Sequence, residues 1–426
     1  MVEFSKFGKR FTRLTGASEL MDDMGAAMDG GGPANGSMLM LGGGNPAHIP
    51  EVEQIFKDQM AAIIDQPDEF SRMAENYSGP AGEGRFRRAL ARLLHDNYGW
   101  ELSQHNIALT SGSQNAFFIL FNLLAGEMEQ AGRHKQILLP MAPEYIGYSD
   151  VGVSENMFHA NRPTIEFLDD RLFKYHVDFD AIDVNENVGA ICVSRPTNPT
   201  GNVLTDDEIN KLLELARTSN VPLIIDNAYG TPFPHIIFTD VKPLWNENII
   251  MCMSLSKIGL PAIRTGIVIA RKEIISAVSS MNAVMHLAVS SVGAVLLHKL
   301  VESGEIINIS NNIIAPYYRS RVEDALACVR SEFEGIEYHI HVPEGALFLW
   351  LWFPNLPISS AELYSRLKQR GVLVVSGHHF FPGLKDDWRH KNECLRITYS
   401  QDPESVAAGI KIIAEEVRRA GNSLLD

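Results

Sequence analysis

The segment at residues 223–229 reads Leu-Ile-Ile-Asp-Asn-Ala-Tyr, in which large apolar residues run directly into polar ones. A short apolar run without alternation is typical of a strand that is buried on both faces of a sheet. Similar runs occur at Ile137–Leu139, Gly189–Val193, Asn248–Met253 and Gly266–Ala270, with helical patterns between them. Alternating strands and helices predict a mainly parallel sheet flanked by helices.

The C-terminal part of the chain has a different pattern. It predicts a helix at Tyr317–Glu332, strands at Glu337–Val342 and Ala346–Phe353, a helix at Ala361–Arg370, a strand at Leu395–Tyr399 and a terminal helix. A chain of 426 residues exceeds what one hydrophobic core usually organises. We therefore expect an α/β fold with a large domain at 50–305 and a small α+β domain made of 306–426 and the N-terminal segment 1–49.

The net charge and the cysteine content exclude several classes of protein. The formal net charge of −15 argues against a nucleic-acid surface, which needs clustered Lys and Arg. The four cysteines are far apart and form no C-x-x-C pair, which fits a reduced compartment. With neither a signal-peptide core nor an apolar stretch of membrane-spanning length, we expect a cytoplasmic protein. The adjacent His378 and His379 lack nearby acidic or Cys ligands, so we expect a loop there and no metal site.

Polar residues follow four of the predicted strands. Their segments are Thr110–Gln114, which follows the apolar run Ile107–Leu109, and Ser194–Gly201, Asp226–Tyr229 and Ser254–Lys257. Taken singly, they could be a helix cap, a turn or a surface lysine. In doubly wound sheets, however, ligands bind beyond the carboxyl ends of the strands. Together the four segments supply an acid, a phosphate-binding loop, an amide and an amine nucleophile at one end of one sheet.

Three of these motifs carry a resemblance to a known family. They are Asn198-Pro199-Thr200-Gly201, Asp226-x-x-Tyr229, and Ser254-x-Ser256-Lys257 followed by Arg264. With them, nearly the whole chain resembles the fold-type I, aspartate-aminotransferase-like family of enzymes that depend on pyridoxal 5'-phosphate. The loop before Arg264 departs mildly from the family pattern, since Ala262 and Ile263 stand where a glycine is usual.

The resemblance implies a role for each strand-end side chain. Lys257 would hold the cofactor as a Schiff base and move the proton during a ping-pong reaction. Asp226 would keep the pyridine nitrogen protonated, because the ring accepts electrons only in that state. Tyr229 and Asn198 would bind the phenolic oxygen of the ring, and Tyr145 would stack on its face.

A helix N-terminus and a guanidinium group are expected to bind the cofactor phosphate. The resemblance assigns this site to Ser111, Gly112 and Ser113, together with Ser254, Ser256 and Arg264. It also implies a homodimer in which Tyr77 reaches the phosphate site of the partner subunit.

Substrate specificity is expected from a closer resemblance, to the branch of the family that moves amino groups between valine and pyruvate. The matching segments are Leu41–Pro46, Ala142–Tyr148, Ser194–Val203 and Pro243–Asn246. The resemblance makes Arg396 the residue that binds the substrate α-carboxylate, with Gly44, Asn45 and Asn198 nearby. Arg195 could supply a second cation, which leaves a dicarboxylic substrate open.

Two alternative functions are compatible with parts of this pattern. A β-lyase or synthase would use the same cofactor, because the motifs identify the cofactor better than the reaction. A transcription regulator that reuses the fold would need a DNA-binding domain ahead of it. Only residues before position 50 precede the predicted core, and the chain is acidic, so the enzyme interpretation is favoured.

Overall fold

The computed structural model describes residues 2–13, 15–28 and 38–422. Its strands, in chain order, are β1 Leu39–Met40, β2 Ile107–Thr110, β3 Gly126–Glu127, β4 His134–Leu139, β5 Phe158–Ala160, β6 Thr164–Phe167, β7 Leu172–His176, β8 Val188–Ser194, β9 Leu223–Asp226, β10 Ile249–Ser254, β11 Gly266–Ile269, β12 His339–His341, β13 Phe348–Trp352, β14 Val372–Leu373, β15 Val375–Ser376 and β16 Cys394–Thr398. Its α-helices are α1 Lys6–Phe11, α2 Gly16–Met28, α3 Pro50–Ile64, α4 Pro67–Phe70, α5 Gly84–Tyr98, α6 Ser113–Leu124, α7 Asp206–Thr218, α8 Lys272–His286, α9 Val292–Glu302, α10 Glu305–Ile309, α11 Ala315–Glu332, α12 Ser360–Gln369 and α13 Pro403–Asn422.

The larger sheet has the strand order β2-β11-β10-β9-β8-β4, with β3 and β5 also paired to β4. Strands β10, β9, β8, β4 and β5 run parallel, whereas β11 is antiparallel to both of its neighbours. Every residue of β2, β8, β9, β10 and β11 is buried, as expected for apolar strands covered on both faces. The predicted α/β fold with a mainly parallel sheet is confirmed.

A second sheet has the order β15-β16-β13-β12-β7-β6. Its strands β6 and β7 come from residues 164–176, within the range predicted for the large domain, and β7 pairs in parallel with β12. The short strand β1 pairs in parallel with β14, which joins the N-terminal part to the C-terminal part. The predicted division at residue 305 stays a prediction, with the qualification that this sheet draws strands from both sides of it.

The helix that follows β2 begins at an unusual backbone turn. Gly112, the N-cap of α6, has φ 85° and ψ 163°, a conformation that favours glycine. This turn directs the N-terminus of α6 toward the carboxyl ends of the central strands. Among the helices of the described residues, none is long and apolar enough to cross a membrane.

Candidate active site

A cavity of about 400 Å³ lies at the carboxyl ends of the central strands. Most of the predicted site residues line this cavity: Gly44, Asn45, Ser113, Tyr145, Asn198, Asp226, Tyr229, Ser254, Ser256, Lys257, Arg264 and Arg396. Strand register brings several of them together, because Asp226 at the end of β9 pairs with Ser194 in β8 and with Cys252 in β10. The strand ends thus meet in one cavity, as expected for a doubly wound sheet.

Lys257 lies in the 3-10 turn Leu255–Ile258, directly after β10. Its Nζ atom donates a hydrogen bond of 2.6 Å to the carbonyl oxygen of Gly44 and lies 5.3 Å from the centre of the Tyr229 ring. Burial lowers the pKa of the Lys257 ammonium group to about 8, and the charges of Arg396 and Arg264 act in the same direction. A lysine with a lowered pKa is suited to act as a nucleophile and as a base near neutral pH.

Asp226 presents a buried carboxylate to the same cavity. Its Oδ1 atom accepts a hydrogen bond of 3.1 Å from the Ala228 N–H, and its Oδ2 atom accepts one of 2.9 Å from the Tyr148 hydroxyl. Burial raises the pKa of Asp226 to about 6, against the opposing effects of these hydrogen bonds and of Lys257. The group is therefore mainly ionised at neutral pH and can hold a cationic N–H group.

Arg264 lies against the N-terminus of α6. A side chain at residue 112 would place its Cβ atom 2.3 Å from Arg264 Nη2, so only glycine allows this approach. Arg264 Nη1 also donates to Ser256 Oγ at 3.4 Å. A guanidinium group beside a helix N-terminus is suited to bind a phosphate. Of the predicted phosphate-site residues, Ser111 and Gly112 do not line the cavity themselves, and Gly112 acts through this contact.

Arg396 extends from β16 into the opposite side of the cavity. Its Nη1 atom donates to Asn198 Oδ1 at 2.7 Å, and its Nη2 atom donates to the carbonyl oxygen of Gly42. The guanidinium carbon lies 4.1 Å from the centre of the Phe348 ring. Burial lowers the pKa of Arg396 to about 10, so the group remains charged at neutral pH. Among the described residues, its buried Nε atom has no hydrogen-bond partner.

The structure does not bring Arg195 and Tyr77 into the cavity. Arg195 Nη2 is paired with Asp206 Oδ1 at 2.6 Å, and its Nε atom donates to the carbonyl oxygen of Leu204. Tyr77 is 89% exposed on the surface. His378 lies in a 3-10 turn, where its Nδ1 atom contacts Ser376 Oγ at 2.8 Å.

Several residues at the site were missed by the sequence analysis. Tyr148 and Ser194 contact Asp226 directly or through each other, and Leu20 and Met21 of α2 line the cavity. Tyr148 follows Tyr145 within the segment Ala142–Tyr148, and Ser194 directly follows the predicted strand Gly189–Val193, so both positions carried a signal. No sequence signal indicated that α2 lies against the cavity, because its position depends on contacts with residues far along the chain.

The cavity fits pyridoxal 5'-phosphate, the cofactor expected from the sequence. This molecule is a planar ring with a carbonyl group, a basic ring nitrogen and a phosphate ester. The cavity provides a buried amine in Lys257, a buried carboxylate in Asp226 and the Gly112–Arg264 contact for an anion. Each of these three groups of the cofactor has a complementary group in the protein.

Comparison with known proteins agrees with this geometry. The family model for aminotransferase class I and II matches residues 38–413. The chain is 48% identical over 417 residues to the valine–pyruvate aminotransferase of Escherichia coli (strain K12), with 98% of each chain covered. It resembles the crystal structure of valine–pyruvate aminotransferase from Salmonella typhimurium LT2 with a TM-score of 0.87 and 47% identity, covering 95% of this chain and 99% of that one. It also resembles a solved structure from Psychrobacter arcticum 273-4 with a TM-score of 0.95 and 45% identity, covering 99% of this chain and 100% of that one. The chain belongs to the class I and II aminotransferases, which use pyridoxal 5'-phosphate as their cofactor.

Proposed function

We propose that this aminotransferase moves an amino group between valine, or a similar small aliphatic amino acid, and pyruvate, giving alanine and 2-oxoisovalerate. The observation that carries the proposal is that Arg396 lines the cavity and has no carboxylate partner among the described residues, whereas Arg195 is paired with Asp206. One cation suffices for a monocarboxylic substrate, and a dicarboxylic one would favour a second. The apolar side chains of Leu20 and Met21 line the same cavity and suit an aliphatic side chain. The similarity to valine–pyruvate aminotransferases supports the same substrate class.

The protein's own residues would divide the work around the cofactor. When bound, pyridoxal phosphate supplies an electron sink for the electron pair that is left at the substrate α-carbon. Lys257 Nζ would hold the cofactor covalently and, once released, would take the proton from the α-carbon. The Asp226 carboxylate would hold the proton of the ring nitrogen. Tyr229 and Asn198 would bind the phenolic oxygen, and Tyr145 would cover the ring.

Substrate binding would use the opposite side of the cavity. Arg396 would bind the α-carboxylate through its guanidinium N–H groups, with Gly44 and Asn45 forming the adjacent wall. The same site would serve valine and then pyruvate, since both carry a carboxylate next to the reacting carbon. A shared site fits a ping-pong reaction, in which the first product leaves before the second substrate binds.

The reaction is tested by incubating the enzyme with valine and pyruvate and quantifying all products. Alanine and 2-oxoisovalerate should appear in equal amounts, without ammonia. Failure to form these two products would refute the proposed transfer. A β-lyase with the same cofactor would instead release ammonia and pyruvate from an amino acid with a leaving group on its β-carbon, such as cysteine.

We also propose a homodimer whose active sites are shared between subunits. Three strongly exposed large side chains support the dimer: Tyr77 at 89%, Val284 near the end of α8 at 89%, and Leu287 directly after α8 at 72%. The Tyr77 segment contacts the segment after α8, because Ser78 Oγ donates to the carbonyl oxygen of Val289 at 3.5 Å. Exposed apolar groups of this kind are typical of protein–protein contacts. Tyr77 would reach the phosphate site of the partner subunit.

The shared site is tested with mixed dimers. A subunit carrying Tyr77→Ala and a subunit carrying Lys257→Ala should together form one complete site, so that activity partly recovers. If mixed dimers form without recovery, Tyr77 does not act across the subunits.

The cytoplasm is our proposed location, supported by the free, buried thiols of Cys192, Cys252 and Cys394. Cell fractionation would check it.

A further inference from the structure

Glu144 is a buried carboxyl group that has no part in the reaction described above. It is 1% exposed and lies between β4 and the turn Ile146–Tyr148. Its backbone N–H donates to the carbonyl oxygen of Phe380 at 2.8 Å, which fixes the local chain. Its side chain does not line the active-site cavity. A buried carboxyl group without a cationic partner is costly if it is ionised.

A continuous row of hydrogen-bonding atoms connects Glu144 to Asp226. The Oε1 atom of Glu144 accepts from the Ser194 N–H at 2.9 Å, and its Oε2 atom lies 2.5 Å from Ser194 Oγ. Ser194 Oγ lies 3.3 Å from the Tyr148 hydroxyl oxygen, which in turn contacts Asp226 Oδ2 at 2.9 Å. All four side chains are buried.

The number of protons in this row decides how it is connected. If both carboxyl groups are ionised, Ser194 donates to Glu144 and Tyr148 donates to Asp226. The contact between the two hydroxyl oxygens then has no proton. If Glu144 carries a proton, it donates to Ser194, Ser194 donates to Tyr148, and Tyr148 donates to Asp226. This second arrangement gives every contact a donor and an acceptor. A proton on Asp226 would do so in the opposite direction, but the Ala228 N–H and the nearby Lys257 ammonium group both favour the ionised form of Asp226.

The charges around Glu144 favour the same arrangement. From the end of β9 it faces the Asp226 carboxylate, a charge of the same sign, while the neutral Tyr148 and Cys192 face it from the turn and from β8. Burial raises the pKa of Glu144 to about 8, and Asp226 acts in the same direction against hydrogen bonds from Ser194 and the Tyr145 backbone. Two nearby carboxyl groups with separated pKa values usually have different roles.

We propose that Glu144 is held as the neutral acid and heads a one-way row of hydrogen bonds through Ser194 and Tyr148 that directs the Tyr148 proton onto Asp226. Glu144 is thus a positioning residue for the carboxylate that faces the cofactor ring. The inference rests on the proposed function, in which Asp226 holds the proton of the ring nitrogen. It assigns a role to a residue that acts only through its neighbours.

Glutamine is the variant that separates the neutral from the ionised form of Glu144. A Gln amide oxygen can accept from the Ser194 N–H, and its amide nitrogen can donate to Ser194 Oγ, as the protonated acid does. Glu144→Gln therefore keeps the hydrogen bonds and the charge of the wild type if Glu144 is neutral, whereas it removes a negative charge beside Asp226 if Glu144 is an anion. Tyr148→Phe serves as the comparison, because it removes the donor to Asp226 in either case.

The test is infrared spectroscopy of the full-length protein, with and without its cofactor, across a pH titration. The difference between wild type and Glu144→Gln should show the loss of a protonated-carboxyl band at pH 7, which in the wild type disappears as pH rises through about 8. Without cofactor, Asp226 should titrate at nearly the same pH in Glu144→Gln as in the wild type. It should titrate at higher pH in Tyr148→Phe, because the Tyr148 hydrogen bond lowers the pKa of Asp226.

Activity gives a second readout. We expect kcat/KM of Glu144→Gln to stay within about threefold of wild type, while Tyr148→Phe loses about tenfold, roughly the effect of one hydrogen bond to a charged group. The proposal is overturned if Glu144→Gln loses a carboxylate band at pH 7, or if it moves the Asp226 titration to lower pH. If the infrared result holds but the wild type transfers no amino group, the proposed function fails and the neutral Glu144 stands.

Discussion

Lys257 Nζ donates a 2.6 Å hydrogen bond to the carbonyl oxygen of Gly44, which links the turn after β10 to the glycine-rich segment after β1. Arg396 Nη2 donates to the carbonyl oxygen of Gly42 in the same segment. The Lys257 amine and the Arg396 guanidinium group therefore both donate hydrogen bonds to the backbone of the same segment, at Gly44 and Gly42. An amine released from the cofactor has an acceptor close to the proposed substrate site.

The covalent role of Lys257 predicts a specific chemical modification. Borohydride should fix the cofactor on the peptide that contains Lys257. Lys257→Ala should abolish trapping and lower the rate by at least about a hundredfold, the usual contribution of a positioned acid–base group. Lys272→Ala, at the exposed start of α8, is the matched control and should behave as wild type. Trapping on another lysine would refute the assignment.

The lowered pKa of Lys257 predicts a pH-dependent stability of the protein without cofactor. The folded-state pKa of about 8 lies below the ordinary value of 10.5, so folding disfavours the charged form. Below pH 8 the buried ammonium group therefore lowers the free energy of unfolding by its full amount. This loss shrinks as pH rises from 8 to 10.5, because the unfolded chain then binds more protons than the folded one. Lys257→Met should therefore be more stable at pH 7, by roughly 1–3 kcal/mol. Denaturant unfolding at pH 7 and pH 10 measures the difference in unfolding free energy between the variant and the wild type. A difference that is absent at pH 7, or that grows with pH, would contradict the lowered pKa of Lys257.

The charge of Asp226 predicts the effect of a substitution that conserves its shape. Asp226→Asn should slow the reaction by about a hundredfold or more, since losing one member of a buried charge pair costs about 3–5 kcal/mol. Substrate binding should change less, because Arg396 is untouched. Asp207→Asn, exposed on α7, is the control. Single-turnover kinetics with valine would measure the step, and a near-normal rate would exclude this role.

Arg396 should affect the binding of both substrates. Arg396→Lys loses the planar set of donors, so KM should rise by about 10- to 100-fold for valine and for pyruvate alike. Arg88→Lys, on the exposed face of α5, should leave both KM values unchanged. Steady-state kinetics with each substrate varied in turn checks this. A rise confined to one substrate would show that the two carboxylates bind at different places.

Strand-end residues could be predicted from sequence, since each follows an apolar run that marks a buried strand. Lys257, Asp226 and Asn198 were found in this way, and the cavity contains all three. Their contacts could not be predicted as easily. Tyr148 meets Asp226 only because strands β4, β8 and β9 lie side by side, and no local pattern reports that pairing.

The N-terminal helix and the hairpin β6–β7 illustrate a second limit. Helix α2 is held near the cavity by Asp23, which accepts hydrogen bonds from Tyr364 and Lys368 of α12. Strand β6 is largely exposed, so it lacks the apolar run that identified the other strands. Its place in the second sheet depends on β7 and its partner β12, which lies far along the chain.

The central claim is that small aliphatic amino acids donate the amino group, and a comparison of kcat/KM for valine, alanine, aspartate and glutamate tests it most directly. With suitable oxo-acid acceptors, valine and alanine should exceed both dicarboxylic amino acids by at least about tenfold, because Arg195 is engaged with Asp206. 2-Aminobutyrate should also react, since one methylene in an apolar pocket is worth only about 1–3 kcal/mol. If aspartate or glutamate exceeds valine and alanine by more than about tenfold, the aliphatic specificity is contradicted.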